Sequence, residues 1–150
     1  MAIIEYARNV CRIKDANTRE SNKKTKNYLI DIMKNQKNIK EKGGTMRLGS
    51  RPTIWQVDDC KIKRLYGTDD SVDERHRHRY EVNPDIIENI EQAGLKFVGK
   101  DETGQRCEIF ELENHVYYVG VQYHPEFKSR PGRPSPPFLG LLMAASGLKL

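Results

Sequence analysis

Apolar residues recur along this chain with a helical period in two well-marked segments. The first lies at the start, where five apolar positions fall at i, i+1, i+4, i+7 and i+8 and so share one helix face; they are Ile3, Ile4, Ala7, Val10 and Cys11. The second covers residues 83–94, with Asn83 as the N-cap, Pro84 in the first helical position and Gly94 as the stop. Its expected buried stripe is Ile86, Ile87, Ile90 and Ala93.

A third helix is expected near the C-terminus, after the Pro- and Gly-rich residues 128–137. Ser135 is its expected cap and Gly147 its end. Its expected inner face is Phe138, Leu141, Leu142 and Ala145.

Short apolar or alternating runs predict strands at residues 28–33, 45–51, 95–98, 107–112 and 116–122. Pro52 is expected to break the second of these, with further short strands at 54–57 and 61–66. The last three runs, joined by short turns, predict an antiparallel meander or the edge of a sheet. Residues 15–21 are expected to be a polar connector, and the lysine-rich residues 34–42 an inserted loop. Mixed helices and strands predict an α/β domain.

Composition narrows the function classes only slightly. The chain has 150 residues, 31% of them charged, a mean hydropathy of -0.77 and a net charge of +5. No apolar run approaches the length of a membrane span, and the first residues do not resemble a signal peptide. The three cysteines are widely spaced without a CxxC pair, so we expect no disulfide and no zinc site, in a reducing, cytoplasmic setting. No metal site is expected.

The clearest candidate chemistry follows the apolar run of residues 116–121. There His124 and Glu126 stand two residues apart around Pro125. In an extended chain such residues point the same way, so the carboxylate can orient the imidazole as a general base. The spacing alone leaves an ordinary loop pair at a strand end equally open.

Several segments carry a family resemblance in the same order along the chain. They are residues 3–9, 15–20, 43–49 (GGTMRLG), 77–83 (RHRYEVN), 122–127 (QYHPEF) and 134–137. Together they resemble the C-terminal glutamine amidotransferase domain of CTP synthases, over nearly the whole chain. The resemblance is weakest at residues 34–42. It implies a partial class I glutamine amidotransferase fold, a mixed sheet with flanking helices, over residues 1–150, with the N-terminal strands missing.

The resemblance also implies a mechanism. In this family a cysteine attacks the side-chain amide of L-glutamine and releases ammonia through a thioester, while a separate synthase domain uses ATP and magnesium to aminate UTP. By position, His124 matches the base, Glu126 the acid that orients it, and Glu20 and Arg79 the glutamine-binding residues. Apart from the resemblance, plain surface charge would explain Glu20 and Arg79. The chain itself is expected to need no cofactor.

The family's cysteine lies in a Gly-x-Cys-x-Gly turn that would precede residue 1, so we expect a piece of a longer chain. Cys11, Cys60 and Cys107 have no such turn around them, and buried free cysteine is the ordinary explanation for each. We therefore expect no nucleophile, negligible activity of this chain alone, and exposed apolar surface.

Two other function classes stay open. One is a non-catalytic remnant that binds intact CTP synthase subunits, as part of a homo-oligomer. The other is a basic nucleic-acid-binding module, suggested by the positive runs at residues 23–42 and 75–79. Neither run is interleaved with aromatic residues, and solvated surface is the simpler explanation for the lysines, so nucleic acid is not expected as a partner.

Overall fold

The computed structural model describes residues 1–33 and 46–150, and these contain two β-sheets and four α-helices. The helices are α1 (Ala2–Asn9), α2 (Lys61–Tyr66), α3 (Ile87–Gln92) and α4 (Pro136–Ala145). The strands are β1 (Asn17–Thr18), β2 (Tyr28–Ile32), β3 (Arg47–Trp55), β4 (Ser71–His78), β5 (Tyr80–Val82), β6 (Leu95–Lys100), β7 (Cys107–Leu112) and β8 (Val119–Val121). The predicted insert at residues 34–42 and the start of the 45–51 strand lie outside the described residues.

The smaller sheet has the order β1-β2-β5, and the larger has the order β4-β3-β6-β7-β8. Among the strands of the described residues, β1 and β2 pair in parallel, and the other strand pairs are antiparallel. The mixed helices and sheets confirm the predicted α/β class. The consecutive antiparallel strands β6, β7 and β8 confirm the predicted meander.

Two apolar clusters form the core. One packs α1 and α3 against β2 and β6, through residues such as Ile4, Leu29, Ile90 and Leu95. The other packs α2 against the larger sheet, through Trp55, Ile62, Val98 and Ile109. No helix in the described parts of the chain is both long and apolar enough to cross a membrane.

The first helix and the helix after Asn83 form where predicted. Ile3, Ile4 and Ala7 are buried, although Val10 lies beyond the last helical residue and is half exposed. The Asn83 side chain accepts a hydrogen bond from the Asp85 amide (3.1 Å). The first turn of the helical segment after Asn83, Pro84–Ile86, is a 3₁₀ helix. Gly94 ends α3 with a positive φ of 108°, which glycine adopts without strain.

The prediction that Pro52 breaks a strand is wrong, because β3 runs through it to Trp55. Pro52 is paired with Asp73 of β4, whereas β6 pairs with β3 only at Ile54 and Trp55. At Pro52 the strand therefore has a neighbour on one side only, and a strand edge tolerates a residue without an N–H.

The predicted strand at residues 61–66 is wrong, since this segment is helix α2, and residues 56 and 57 are not in a strand. The N-terminus of this helix is capped by a residue that is distant in the sequence. The buried Glu111 carboxylate on β7 accepts hydrogen bonds from the amides of Lys61 and Ile62, both at 3.2 Å. A carboxylate at a helix N-terminus satisfies unpaired amides and interacts favourably with the helix dipole.

The predicted inner face of α4 is also wrong. Phe138, Leu141 and Leu142 are 38%, 56% and 61% exposed, and Ala145 is exposed as well. The buried residue is Gly140, where an added Cβ would come within 2.5 Å of Leu65 on α2 and of Tyr117. At 100° per residue, the predicted face lies on the opposite side of the helix from Gly140.

Three smaller differences concern strands and a cap. The predicted strand of residues 116–122 is only Val119–Val121, half-buried at the edge of the larger sheet, and Val116 is 69% exposed. The polar connector of residues 15–21 contains the short strand β1. Ser135 precedes α4 as predicted, but its side chain makes no cap hydrogen bond.

Replacing Glu111 with alanine should lower the free energy of unfolding by about 2 kcal/mol, because two amides of α2 lose their acceptor and the Lys61 ammonium, 3.3 Å away, loses its partner. Urea denaturation followed by circular dichroism measures the change. Glu113→Ala is the matched control, since Lys61 contacts only the backbone carbonyl of Glu113. Equal unfolding free energies for Glu111→Ala and Glu113→Ala would contradict the cap.

Candidate active site

The predicted base and its carboxylate are in direct contact. His124 Nδ1 lies 2.7 Å from Glu126 Oε1. The contact does not arise from an extended chain, because residues Pro125–Phe127 form a 3₁₀ turn that brings the carboxylate back towards the ring. Both side chains are open to solvent, at 40% and 54% exposure.

The pair has a defined protonation pattern. The backbone amide of Glu126 and then the His124 side chain stabilise the carboxylate, and both lower the pKa of Glu126. An ionised carboxylate accepts a hydrogen bond, so the neutral imidazole carries its proton on Nδ1. The lone pair is then on Nε2, the atom free to accept a proton from a reacting group.

The loop that carries His124 is fixed to the larger sheet at two points. The His124 amide donates to the Arg75 carbonyl of β4 (2.9 Å). The preceding residue, Tyr123, is buried, and its hydroxyl lies 2.9 Å from that of Tyr66, which donates to Glu74 Oε1 (2.8 Å). A backbone bond and a buried hydroxyl chain thus position the base.

Glu20 and Arg79, the predicted glutamine-binding residues, line the same cavity of about 520 Å³. Glu20 follows β1, where its amide donates to the Thr18 hydroxyl (3.2 Å). Arg79 lies between β4 and β5, and its carbonyl accepts from the Met33 amide (3.0 Å). Gln122, two residues before His124, also lines this cavity. The structure therefore brings a carboxylate and a guanidinium together in one cavity, whereas His124 and Glu126 are not among its lining residues.

None of the three cysteines has the surroundings of a nucleophile. Cys60 and Cys107 are buried, Cys11 is partly buried, and all three are free. Burial raises the pKa of each thiol, that of Cys107 to about 12. A raised pKa disfavours the thiolate, which is the reactive form.

One polar cluster was missed by the sequence reasoning. His76 and His78 on β4, Glu108 on β7 and Arg47 on β3 converge beside the cavity, which His78 also lines. The available signal was the strict alternation of residue types in β4. In the structure this alternation buries Glu74 and His76 and leaves Arg75 and Arg77 exposed. Within the run of residues 75–79, His76 therefore lies in the interior, whereas Arg75 and Arg77 lie at the surface.

A family model described as Glutamine amidotransferase class-I matches residues 1–144. The chain therefore belongs to the class-I glutamine amidotransferase family, and its mixed sheets with flanking helices are that fold.

The similar proteins specify the branch of the family. CTP synthase 2 of Xenopus laevis is 53% identical over 148 residues, which are 98% of this chain and 25% of that protein. CTP synthase of Dictyostelium discoideum is also 53% identical, over 97% of this chain and 26% of its own length. The solved glutaminase domain of Trypanosoma brucei CTPS, with bound acivicin, superimposes with a TM-score of 0.90 at 33% identity, over 99% of this chain and 57% of that one. The chain thus spans about a quarter of the length of the curated relatives it matches.

Titration of the Glu126 carboxyl by NMR should give a pKa below the ordinary glutamate value. In His124→Ala the pKa should rise only part of the way, because the backbone amide of Glu126 still stabilises the carboxylate. The hydrogen bond between His124 and the ionised Glu126 carboxylate is therefore present at neutral pH. It is lost as the pH falls through the lowered pKa of Glu126 and the carboxylate takes up a proton. His115→Ala, at an exposed histidine elsewhere, is the control and should leave the Glu126 pKa unchanged. The same pKa in wild type and His124→Ala would show that the two side chains do not interact in solution.

Proposed function

We propose that this chain provides the base and the glutamine-binding side chains of a CTP synthase glutaminase site. The observation that carries the proposal is the 2.7 Å contact between His124 Nδ1 and Glu126 Oε1, on a loop adjoining the cavity that Glu20 and Arg79 line. The family membership and the CTP synthase relatives support it.

The chemistry proposed for each residue follows from its functional groups. The Arg79 guanidinium suits the α-carboxylate of L-glutamine, and the Glu20 carboxylate suits its α-ammonium or the side-chain amide. With Nδ1 held by Glu126, Nε2 of His124 takes the proton of an attacking cysteine thiol. The same nitrogen then delivers that proton to the departing ammonia, and later activates the water that hydrolyses the thioester.

The rest of the proposed activity belongs to a larger assembly. A synthase domain, with ATP, magnesium and UTP, would accept the ammonia and form CTP, in a cytoplasmic and oligomeric enzyme. This chain needs no cofactor of its own for the glutaminase step. Because each of its three thiols is at least partly buried and has a raised pKa, we propose that the chain alone does not hydrolyse glutamine.

A second candidate is a non-catalytic role in which the chain associates with intact CTP synthase subunits. The exposed apolar side chains of α4, including Leu141 and Leu142, favour it, since such patches commonly mark contact surfaces. Co-purification of the tagged chain with an intact CTP synthase supports this role, and a Leu141→Ser, Leu142→Ser double variant should abolish it.

Ammonia release from glutamine by the purified 150-residue chain should be no faster than release by its His124→Ala variant. Loss of a triad nucleophile costs several orders of magnitude in rate, so the base alone has nothing to activate. A coupled glutamate dehydrogenase assay measures the release. Rapid release that His124→Ala abolishes would mean that one of the three cysteines acts as the nucleophile.

Arg79→Ala should weaken the binding of L-glutamine by at least about tenfold, because an ion-paired hydrogen bond to the carboxylate is lost. Isothermal titration calorimetry measures the affinity, and Glu20→Ala should show a similar loss. Arg64→Ala is the matched control, since Arg64 lies on α2 and is not among the residues that line the cavity. Equal affinity in Arg79→Ala and Arg64→Ala would remove Arg79 from the proposed site.

A further inference from the structure

The cluster of His76, His78, Glu108 and Arg47 is unusual because it is polar and lies in the interior. The side chains of His76 and Glu108 are fully buried, and His78 is half-buried. His76 and His78 are two residues apart on β4 and so point to the same side of the sheet. Strands β3 and β6 of the larger sheet pair over only part of their length. On the side of the sheet that His76 and His78 face, Glu108 of β7 reaches across to His76 of β4.

The polar atoms of this cluster are incompletely paired. Among residues 1–33 and 46–150, nine buried side-chain nitrogen or oxygen atoms have no hydrogen-bond partner in the protein, and five belong to it. They are Nε2 of His76, both carboxylate oxygens of Glu108, and Nε and Nη2 of Arg47. Of these, Arg47 Nη2 and Glu108 Oε1 lie 3.2 Å apart as an ion pair. Buried polar atoms are nearly always paired, so the other oxygen of Glu108, Oε2, which faces His76 Nδ1, points to an ion or a water molecule as its partner.

The spacing of the potential ligand atoms suits a metal ion. His76 Nδ1 lies 3.1 Å from His78 Nε2 and 3.6 Å from Glu108 Oε2. One ligand atom from each of the three residues lies within 4.8 Å of the others. In a tetrahedral zinc site with bonds of about 2.0–2.1 Å, neighbouring ligand atoms are about 3.3 Å apart, between the two measured distances.

Neighbouring groups orient two of the three ligands. His78 Nδ1 lies 3.0 Å from the Tyr80 carbonyl, so this nitrogen carries the proton and Nε2 presents its lone pair to the cluster. Such a hydrogen bond behind a histidine is typical of metal sites. The Arg47 guanidinium lies 3.2 Å from Oε1 of Glu108, which leaves Oε2 facing His76.

We propose that His76, His78 and Glu108 bind a divalent transition metal ion, with zinc as the best match to their donor atoms. Two imidazoles and one carboxylate select such an ion over magnesium or calcium, which prefer oxygen ligands only. Three protein ligands leave a fourth position for water. The ion joins β4 to β7 beside the cavity, and this role does not depend on glutamine chemistry.

The test is metal binding by the whole 150-residue chain after treatment with a chelator. We expect one equivalent of zinc by isothermal titration calorimetry, and a visible d–d absorption spectrum of tetrahedral type with cobalt. Zinc should also raise the melting temperature, because it binds the folded state. An absence of saturable binding would overturn the proposal and leave ordered water as the partner of the buried atoms.

The four histidines of the chain provide matched variants. His78→Gln should weaken zinc binding at least about tenfold, whereas His115→Gln and His124→Gln, outside the cluster, should retain it. Loss of binding in His115→Gln or His124→Gln but not in His78→Gln would place the ion elsewhere and overturn the proposal.

X-ray absorption spectroscopy of the zinc-loaded wild-type chain decides the question even where a variant fails to fold. Two imidazoles with one carboxylate and only light-atom scattering support the site. Sulfur in the first coordination shell, or a single imidazole, contradicts it.

Discussion

Polar side chains on the inner face of β4 impose the main constraint on this structure. The strand alternates strictly, burying Glu74 and His76 while Arg75 and Arg77 face solvent. A buried carboxylate is costly unless it is paired, so its partners have fixed positions. The Tyr66 hydroxyl of α2 donates a hydrogen bond to Glu74, and the Tyr123 hydroxyl is hydrogen-bonded to that of Tyr66. Tyr123 directly precedes His124. The hydrogen bonds that link Tyr123 to Tyr66, and Tyr66 to the buried Glu74, therefore also position the candidate base.

Features that depend on neighbouring residues could be predicted from the sequence. The Asn83 cap and the Gly94 stop are local, because the side chain and φ of a single residue decide them. The meander β6-β7-β8 follows from short turns between apolar runs. The contact between His124 and Glu126 was also expected, although a 3₁₀ turn brings the two side chains together instead of an extended strand.

Features that depend on distant residues could not be predicted in this way. Residues 61–66 alternate sufficiently to suggest a strand, but Glu111, fifty residues further along, caps them as a helix. The orientation of α4 is set by the close approach of Gly140 to Leu65 and Tyr117, which no periodicity in the sequence reveals. Within residues 75–79, the burial of His76 depends on contacts with β3 and β7, which the charges of the run alone do not reveal.

The position of the cavity follows from where the chain passes between its two sheets. β4 ends at His78 in the larger sheet and β5 begins at Tyr80 in the smaller one, so Arg79 is the only residue between them. The Arg79 carbonyl accepts a hydrogen bond from the Met33 amide just after β2, so backbone bonding holds the crossing. Glu20 reaches the same cavity from the end of β1, in the smaller sheet. Binding sites commonly form at such junctions, because side chains from separate elements converge there without filling the space between them. The junction therefore explains how residues 59 positions apart come to line one cavity.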